Sequence, residues 1–292
     1  MLKILKALYL FLNVIIIAAL ITIHFVIKDR NYDASLLFYA FPLPVIIIIV
    51  LALSIFLNKK FRTINLIVTL LLFIVWLGRS FKINFPEDIK ETDLEIVFWN
   101  ASHDRGFEDA FSENNGIPDV LVLVEYHGDF LKETKLNYPD YYFYKHYSKE
   151  IGIFSKTPIQ IIEDIPSKFS TTILNFETND INFYTVDVVG SMDVPREWGL
   201  KSIDKAITKW KNTVLLGDFN VPYESLLLEK TKNKFNHTFN EKGNGFRETW
   251  FWNIPLLSLD HIWVSKDLEI IKSKKVNTFK SDHAMIKTFI RK

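Results

Sequence analysis

Cysteine is absent from the 292 residues, which excludes structural disulfides and thiolate metal sites but does not fix the compartment. Acidic residues are nearly missing from the N-terminal part, where residues 1–82 hold nine Lys or Arg against only Asp29 and Asp33. Residues 83–292 hold 26 basic and 32 acidic side chains, a net charge of −6, so the formal +1 of the whole chain conceals two unlike regions. An acidic second region is a poor footing for non-specific binding to duplex DNA, which depends on neutralising phosphates. It is also long enough to bury a sizeable core as one domain. No internal repeat is present, and the two Phe-Trp-Asn triplets at 98–100 and 251–253 read as coincidence.

What fills the first region is apolar. Ala7–Ile27 exceeds the roughly 20 residues that span a bilayer and is interrupted only by Asn13 and His24. Leu36–Leu57 is a second such run, with Pro42 and Pro44 kinking its first half. The third is centred on Ile64–Gly78, where Arg62 and Arg79 would snorkel and Trp76 suits an interface. Lys3 and Lys6 resemble the start of a signal peptide, but no small-residue cleavage site follows. The expectation is three transmembrane helices at about 7–27, 36–57 and 62–79. Lys3, Lys6, Lys59, Lys60 and Arg62 would flank one face, and Lys28, Arg30, Arg79 and Lys82 the other. That bias favours a cytoplasmic N-terminus and, with three crossings, an extracytoplasmic second region. With no acidic residue inside the spans, a transport or channel role is disfavoured.

Residues 83–92 read as a short polar linker, and 93–292 as a single folded domain. Strand-like runs then recur at Leu94–Trp99, Val120–Val124, Tyr141–His146, Gly152–Phe154, Thr171–Phe176, Phe183–Val188, Thr213–Leu216, Ser258–Val264 and Met285–Ile290. Helices are expected at Phe107–Asn114, Trp198–Lys211 and Ser225–Lys232. Many strands with few helices indicate an α/β fold of two packed sheets flanked by helices. The organising stretch is Thr213–Asn220. Its apolar run is stopped by Gly217, which presents Asp218 and Asn220 at the carboxyl end of a strand. Alone, Gly-Asp-Phe-Asn reads equally well as an Asx turn. Other strands end the same way, in Asn100 and Glu125, while Asp260-His261 and Ser281-Asp282-His283 stand at the starts of two more. A charge directly after a buried apolar run is costly unless solvated or paired. Several such ends together point to one shared polar cleft.

The elements Trp99-Asn100, Pro118–Glu125, Gly152–Ser155, Gly217–Asn220, Leu259–Ile262 and Ser281–His283 stand in the order found in the endonuclease/exonuclease/phosphatase superfamily, and residues 93–292 resemble those deoxyribonuclease-I-like phosphoesterases. Each motif is weak singly; six in order are specific. The resemblance implies a four-layer α-β-β-α sandwich, here preceded by membrane helices. It implies Glu125 as the main carboxylate ligand of a Mg²⁺ or Mn²⁺ ion, with Asn100 helping to hold it and Asp282 contributing through a second ion or water. All-oxygen ligation suits such hard cations. Asp218 would orient or deprotonate the attacking water, Asn220 hold the phosphate, and His283 meet the phosphoryl oxygen with Asp260 fixing its tautomer. The substrate would be a phosphodiester or phosphomonoester, from a phospholipid head group or a nucleic acid, met beside the lipid bilayer.

One position departs from the family. A leaving-group His is common where this chain has Asp187, and a carboxyl group could act as the acid there only if burial or neighbouring carboxylates raised its pKa. The unusual loop from Gly190 onward adds to that departure and leaves a second reading, a degenerate domain serving as a membrane-tethered binding module. His261 reads either as a cleft residue or as a packed structural histidine. His103, His127, His146 and His237 carry no motif and read as surface or local structural groups, and His24 as a helix-packing group. Ser155 and Lys156 suit a turn after their strand. Arg196 suits an exposed helix start, with a phosphate contact as the sharper alternative.

Overall fold

The computed structural model describes residues 2–292, which fall into two compact units divided between Phe81 and Lys82. In the first, α1 (Leu2–Thr22) runs into a π-helical turn, Ile23–Ile27, and is followed by α2 (Tyr32–Ala40), α3 (Leu43–Ser54) and α4 (Lys59–Ser80). Asn31 and Asn58 start α2 and α4 by accepting the amides of Ala34 and Phe61 at 2.9 and 3.2 Å. Among the described residues, Lys3–Ile27 and Lys59–Ser80 are long and apolar enough to cross a membrane. The middle run, expected as a span over 36–57 kinked by Pro42 and Pro44, is the pair α2 and α3, bent by 68°. The cause is Pro42, which lacks an amide hydrogen and bars Phe41 from helical geometry; Phe41 sits at φ −120°, ψ 64°. The unit therefore has two full-length candidate spans, or three if the bent pair is one. Leu20, Leu43, Ile46, Val50 and Leu72 form its core.

Lys82–Lys292 is built on two six-stranded sheets. After the two-residue strand β1 (Phe81–Lys82), the first sheet comprises β2 (Leu94–His103), β3 (Val120–Tyr126), β4 (Tyr142–His146), β5 (Ile151–Ser155), β13 (Glu269–Val276) and β14 (Met285–Arg291), in the order β13-β14-β2-β3-β5-β4. The second comprises β6 (Gln160–Lys168), β7 (Thr171–Thr178), β8 (Ile181–Asp187), β9 (Thr213–Asp218), β10 (Phe235–His237) and β12 (Asp260–Ser265), in the order β10-β12-β9-β8-β7-β6. A two-residue strand, β11 (Gly245–Phe246), lies outside both. Each sheet has one parallel pair at its centre, β2 with β3 and β8 with β9, and is otherwise antiparallel. Parallel neighbours need a crossover, supplied by α5 (Phe107–Asn114) and α7 (Arg196–Ala206).

Period-two alternation sets the layers. Ile96, Phe98, Val120 and Val122 face Phe176, Phe183, Val214, Leu216 and Ile262 of the other sheet in a fully buried core. The intervening Val97, Trp99, Leu121 and Leu123 point outward and pack under Phe107, Ala110 and Phe111 of α5. Trp198–Lys211, expected as one helix, ends at Ala206. Ser225–Lys232 divides into a 3-10 turn at Leu226–Leu228 and α8 (Glu229–Lys234), because the Ser225 hydroxyl accepts the Leu227 amide. Two further short helices are α6 (Leu131–Asn137) and α9 (Thr238–Lys242).

Residues 83–92 have no regular structure but are hydrogen-bonded into this unit. Asn84 Nδ2 donates to the carbonyls of Asn240 and Gly243 at 3.0 and 2.7 Å, and the Glu87 amide donates to the Ile271 carbonyl. At the end of β14, Arg291 grips Asp93 through Nε and Nη2 at 2.8 and 3.0 Å and reaches Glu269 through Nη1 at 3.1 Å.

Gly217 is where the chain needs glycine. A Cβ there would stand 1.9 Å from the Val186 carbonyl oxygen of the parallel neighbour. Gly217→Ala must force β8 and β9 apart, so it is expected to cost about 3 kcal/mol or more, read as a fall in the denaturation midpoint of the purified protein.

Candidate active site

The carboxyl ends of the two parallel pairs meet across the sandwich. Asn100, fully buried near the end of β2, donates its amide hydrogens to Glu125 Oε1 of β3 at 3.0 Å and to Asp218 Oδ2 of β9 at 3.1 Å. Its own oxygen accepts the Ser102 amide at 2.9 Å. Asn100 thus presents nitrogen to the carboxylates, and its place is between the sheets as a brace. Asp187, Asp218 and Asp260 stand directly beside one another on the adjacent strands β8, β9 and β12. Like charges in register repel, so such a row marks a site with work other than holding the sheet together. Oxygens of Glu125, Asp187 and Asp218 lie within 4.8 Å of one another.

His283, just before β14, places Nδ1 2.8 Å from Asp260 Oδ2 and 3.9 Å from Asp218 Oδ2. Its amide donates to Ser281 Oγ, and its carbonyl accepts Trp99 Nε1. The Thr249 hydroxyl oxygen accepts the amides of Leu259 and Asp260 at 3.1 Å, fixing the carboxylate that orients the ring. Asn220 folds back so that its amide donates to Asp218 Oδ1 at 2.8 Å and its Nδ2 to the Val188 carbonyl at 2.7 Å. Asp282 stands aside from the three-carboxylate group. Its oxygens accept Ser102 Oγ at 2.8 Å and Trp250 Nε1 at 3.0 Å.

Proton affinities follow from this crowding. Burial, then the neighbouring charges of Asp218 and Glu125, push the Asp187 carboxyl well above the usual carboxylate range. Asp218 is raised to about 7 by burial and by Asp260, against the pull of His283. For His283, burial disfavours the cation, but the charge and hydrogen bond of Asp260, with help from Asp218, overcome it and raise the imidazole to about 10. Asp260 and His283 therefore form a buried ion pair.

The remaining sequence candidates separate cleanly. His261 is a packed structural residue, since Nδ1 meets His237 Nε2 at 3.0 Å and Nε2 meets the Val221 carbonyl at 3.1 Å, and burial lowers it to about 4. His146 pairs with Asp164, Ser155 bonds to Thr178, and Arg196 donates to the Gly190 carbonyl. His103 and His127 are not isolated surface groups. Both lie beside the carboxylate cluster, with His103 Nε2 3.3 Å from Glu125 Oε2. Their sequence signal was only proximity, to Asn100 in one case and Glu125 in the other. Ser102 and Trp250, which hold Asp282, carried none.

Compared with known proteins, the chain matches the Endonuclease/Exonuclease/phosphatase family over residues 97–283, well over half its length, and it belongs to that family. Its members are divalent-metal-dependent phosphoesterases and nucleases. Among solved structures it is similar to an endonuclease/exonuclease/phosphatase family protein from Bacteroides thetaiotaomicron, at 16% identity and a TM-score of 0.53, covering 69% of this chain and 98% of that one. It is likewise similar to a humanized Danio rerio TDP2, at 15% identity and a TM-score of 0.52, covering 69% and 100%. A mannosyl-6-phosphatase of Bacteroides thetaiotaomicron VPI-5482 aligns at 18% identity and a TM-score of 0.50, covering 68% and 100%. At such identities these likenesses concern the fold. No curated protein sequence matches the chain.

The ion pair has a pH signature. A histidine raised on folding contributes stability that is fully present below its unfolded value near 6.5 and lost as pH climbs through about 10. NMR titration of the His283 ring should give that high value in the native protein, and Asp260→Asn should move it down toward 6.5 and flatten the alkaline loss of stability.

Proposed function

We propose that the chain is a membrane-anchored, divalent-metal-dependent phosphoesterase that hydrolyses a phosphodiester or phosphomonoester by attack of water. The observation that carries this reading is the convergence of Glu125, Asp187 and Asp218 opposite the His283–Asp260 pair. The donor set fits a hard divalent cation. Three carboxyl groups with oxygens within 4.8 Å of one another gather oxygen donors at one point, and oxygen donors are what Mg²⁺ or Mn²⁺ prefers. Such an ion, held chiefly by Glu125, would offset charge building on the phosphoryl oxygens.

The chain's own groups supply the rest. Asp218, raised to about 7, is suited to take a proton from water near neutral pH. Asn220 uses one Nδ2 hydrogen on Val188 and keeps the other for a phosphate oxygen. His283, charged and held through Nδ1 by Asp260, donates from Nε2 to a developing oxyanion. Asp187 meets the condition for acting as the acid: its carboxyl is raised by burial and by two neighbouring carboxylates, so it can hold the proton that the leaving oxygen takes. Asn100 and Asp282 position their neighbours, the first by bracing Glu125 and Asp218, the second by tying Ser102 to Trp250.

Exposed Phe251, Trp252 and Ile254 follow Trp250 beside Asp282 and give the cleft an apolar margin. With candidate spans in the same chain and a net charge of −6 over residues 83–292, this favours a phospholipid head group over duplex nucleic acid as substrate. With a cytoplasmic N-terminus, which the distribution of Lys and Arg favours, and the bent pair as a third span, the catalytic unit would lie outside the cytoplasm.

The test is hydrolysis by the full-length protein in lipid nanodiscs, against dispersed phospholipids, generic mono- and diesters, RNA and DNA. Turnover should need Mg²⁺ or Mn²⁺, stop on chelation, and fall by about 10²–10⁴ in Asp218→Ala. Equal rates in that variant would sink the assignment. A folded, metal-binding protein silent on every substrate would make it a binding module.

A further inference from the structure

A second group of ligand-bearing side chains stands against the first. His103 Nδ1 lies 3.2 Å from Glu150 Oε2, and His127 Nε2 lies 3.3 Å from Glu150 Oε1. One ligand atom from each of the three residues falls within 4.8 Å of the others. The two imidazole rings stack at 4.8 Å between centroids, with planes 24° apart. The fold builds this arrangement from three separate places. A register shift between Asn100 and His103 bends the end of β2, with Ser102 and His103 both at positive φ, and brings His103 opposite Tyr126. His127 directly follows β3, and Glu150 is pinned there because its carbonyl accepts the Tyr126 amide at 2.8 Å.

We propose that His103, His127 and Glu150 form a binding site for a transition-metal ion of the Zn²⁺ class, separate from the oxygen site at Glu125. Metal–nitrogen and metal–oxygen bonds of about 2.0–2.1 Å in a tetrahedron set neighbouring donors about 3.3 Å apart. Each imidazole nitrogen stands 3.2 or 3.3 Å from its own Glu150 oxygen, and one ligand atom from each residue lies within 4.8 Å of the others, close enough for a single ion to draw together. Two imidazoles with one carboxylate suit Zn²⁺ and its neighbours, whereas Mg²⁺ prefers oxygen donors. Three protein ligands on a half-exposed surface leave at least one coordination position for water.

His103 also has the partner that such ligands keep. With Nδ1 turned to the site, its other nitrogen faces Glu125 Oε2 at 3.3 Å. A carboxylate on the far nitrogen fixes the tautomer and orientation of a metal-bound imidazole. Here that carboxylate is the chief ligand proposed for the catalytic ion, so the two sites share a rigid link. The inference stands whether or not the chain hydrolyses phosphate esters.

The test is binding, read without turnover. Full-length protein in detergent is stripped of metal, dialysed against Zn²⁺ in millimolar Mg²⁺, and analysed for retained zinc. Co²⁺ replaces Zn²⁺ in a parallel titration followed by visible absorption. One Zn²⁺ per chain is expected, with intense tetrahedral-type Co²⁺ bands. His127→Ala and Glu150→Gln should each weaken binding by at least about 100-fold, with unchanged thermal unfolding of the metal-free protein, while Asp218→Ala should leave it within about threefold. Zinc retained equally by His127→Ala and the native protein would overturn the site. So would loss of zinc in Asp218→Ala alone, which would place the ion among the three carboxylates.

Discussion

A single buried carboxamide holds the two halves of the cleft together. Asn100 lies at the end of the first sheet and spends one hydrogen on Glu125 within that sheet and the other on Asp218 in the opposite sheet. No solvent reaches it to compensate a lost bond. The distance between the proposed metal ligand and the proposed base is therefore set by the length of one side-chain amide. The apolar layer below, from Ile96 and Phe98 to Val214 and Leu216, fixes how far apart the sheets can stand. Asn100 converts that spacing into chemistry.

The same compactness explains the charges. Asp187, Asp218 and Asp260 occupy one row across three strands, an arrangement a sheet would shed if stability alone were selected. Each carboxyl then has its own environment. Asp260 is answered by His283, Asp218 is held partly by Asn100 and Asn220, and Asp187 has like charges for neighbours. Pairs of titratable groups whose surroundings push their proton affinities apart are how one site runs acid and base chemistry together.

Most of the central strands could be read from the chain because they are buried on both faces, and continuous apolar runs ending in a polar residue are a strong local signal. Val120–Val124 and Val214–Leu216 are of that kind. Of the edge strands, β4 was read as Tyr141–His146, but β6, β10 and β13 were not. β6, with Glu163, Asp164 and Pro166, and β13, with three lysines, are the edges of their sheets, where charge and proline discourage pairing with other chains. The shared plan of the sheets, a central parallel pair joined by a helix, left no repeat in the sequence because alternation carries it and residue identity does not. Glu125, Asp218, Asp260 and His283 were found as strand ends, and the structure brings them together. His103, His127 and Glu150 belong to no motif; a bulge and two turns assemble them, and such backbone events have no simple signature. In the middle apolar run the prolines announced a kink, and the backbone breaks at Pro42 into two helices bent by 68°.

Arg291 and Asp93 join at the start of β2, whereas Asn100 stands near its far end. The chain enters the two-sheet unit through residues 83–93, bound first to Asn240 and Gly243 and then to this two-pronged clasp. The clasp closes the entering segment onto the end of β2 that lies away from Asn100. β2 is therefore held at both ends, by the Arg291–Asp93 pair at its start and by the Asn100 amide near its finish, so its register in the sheet is doubly fixed.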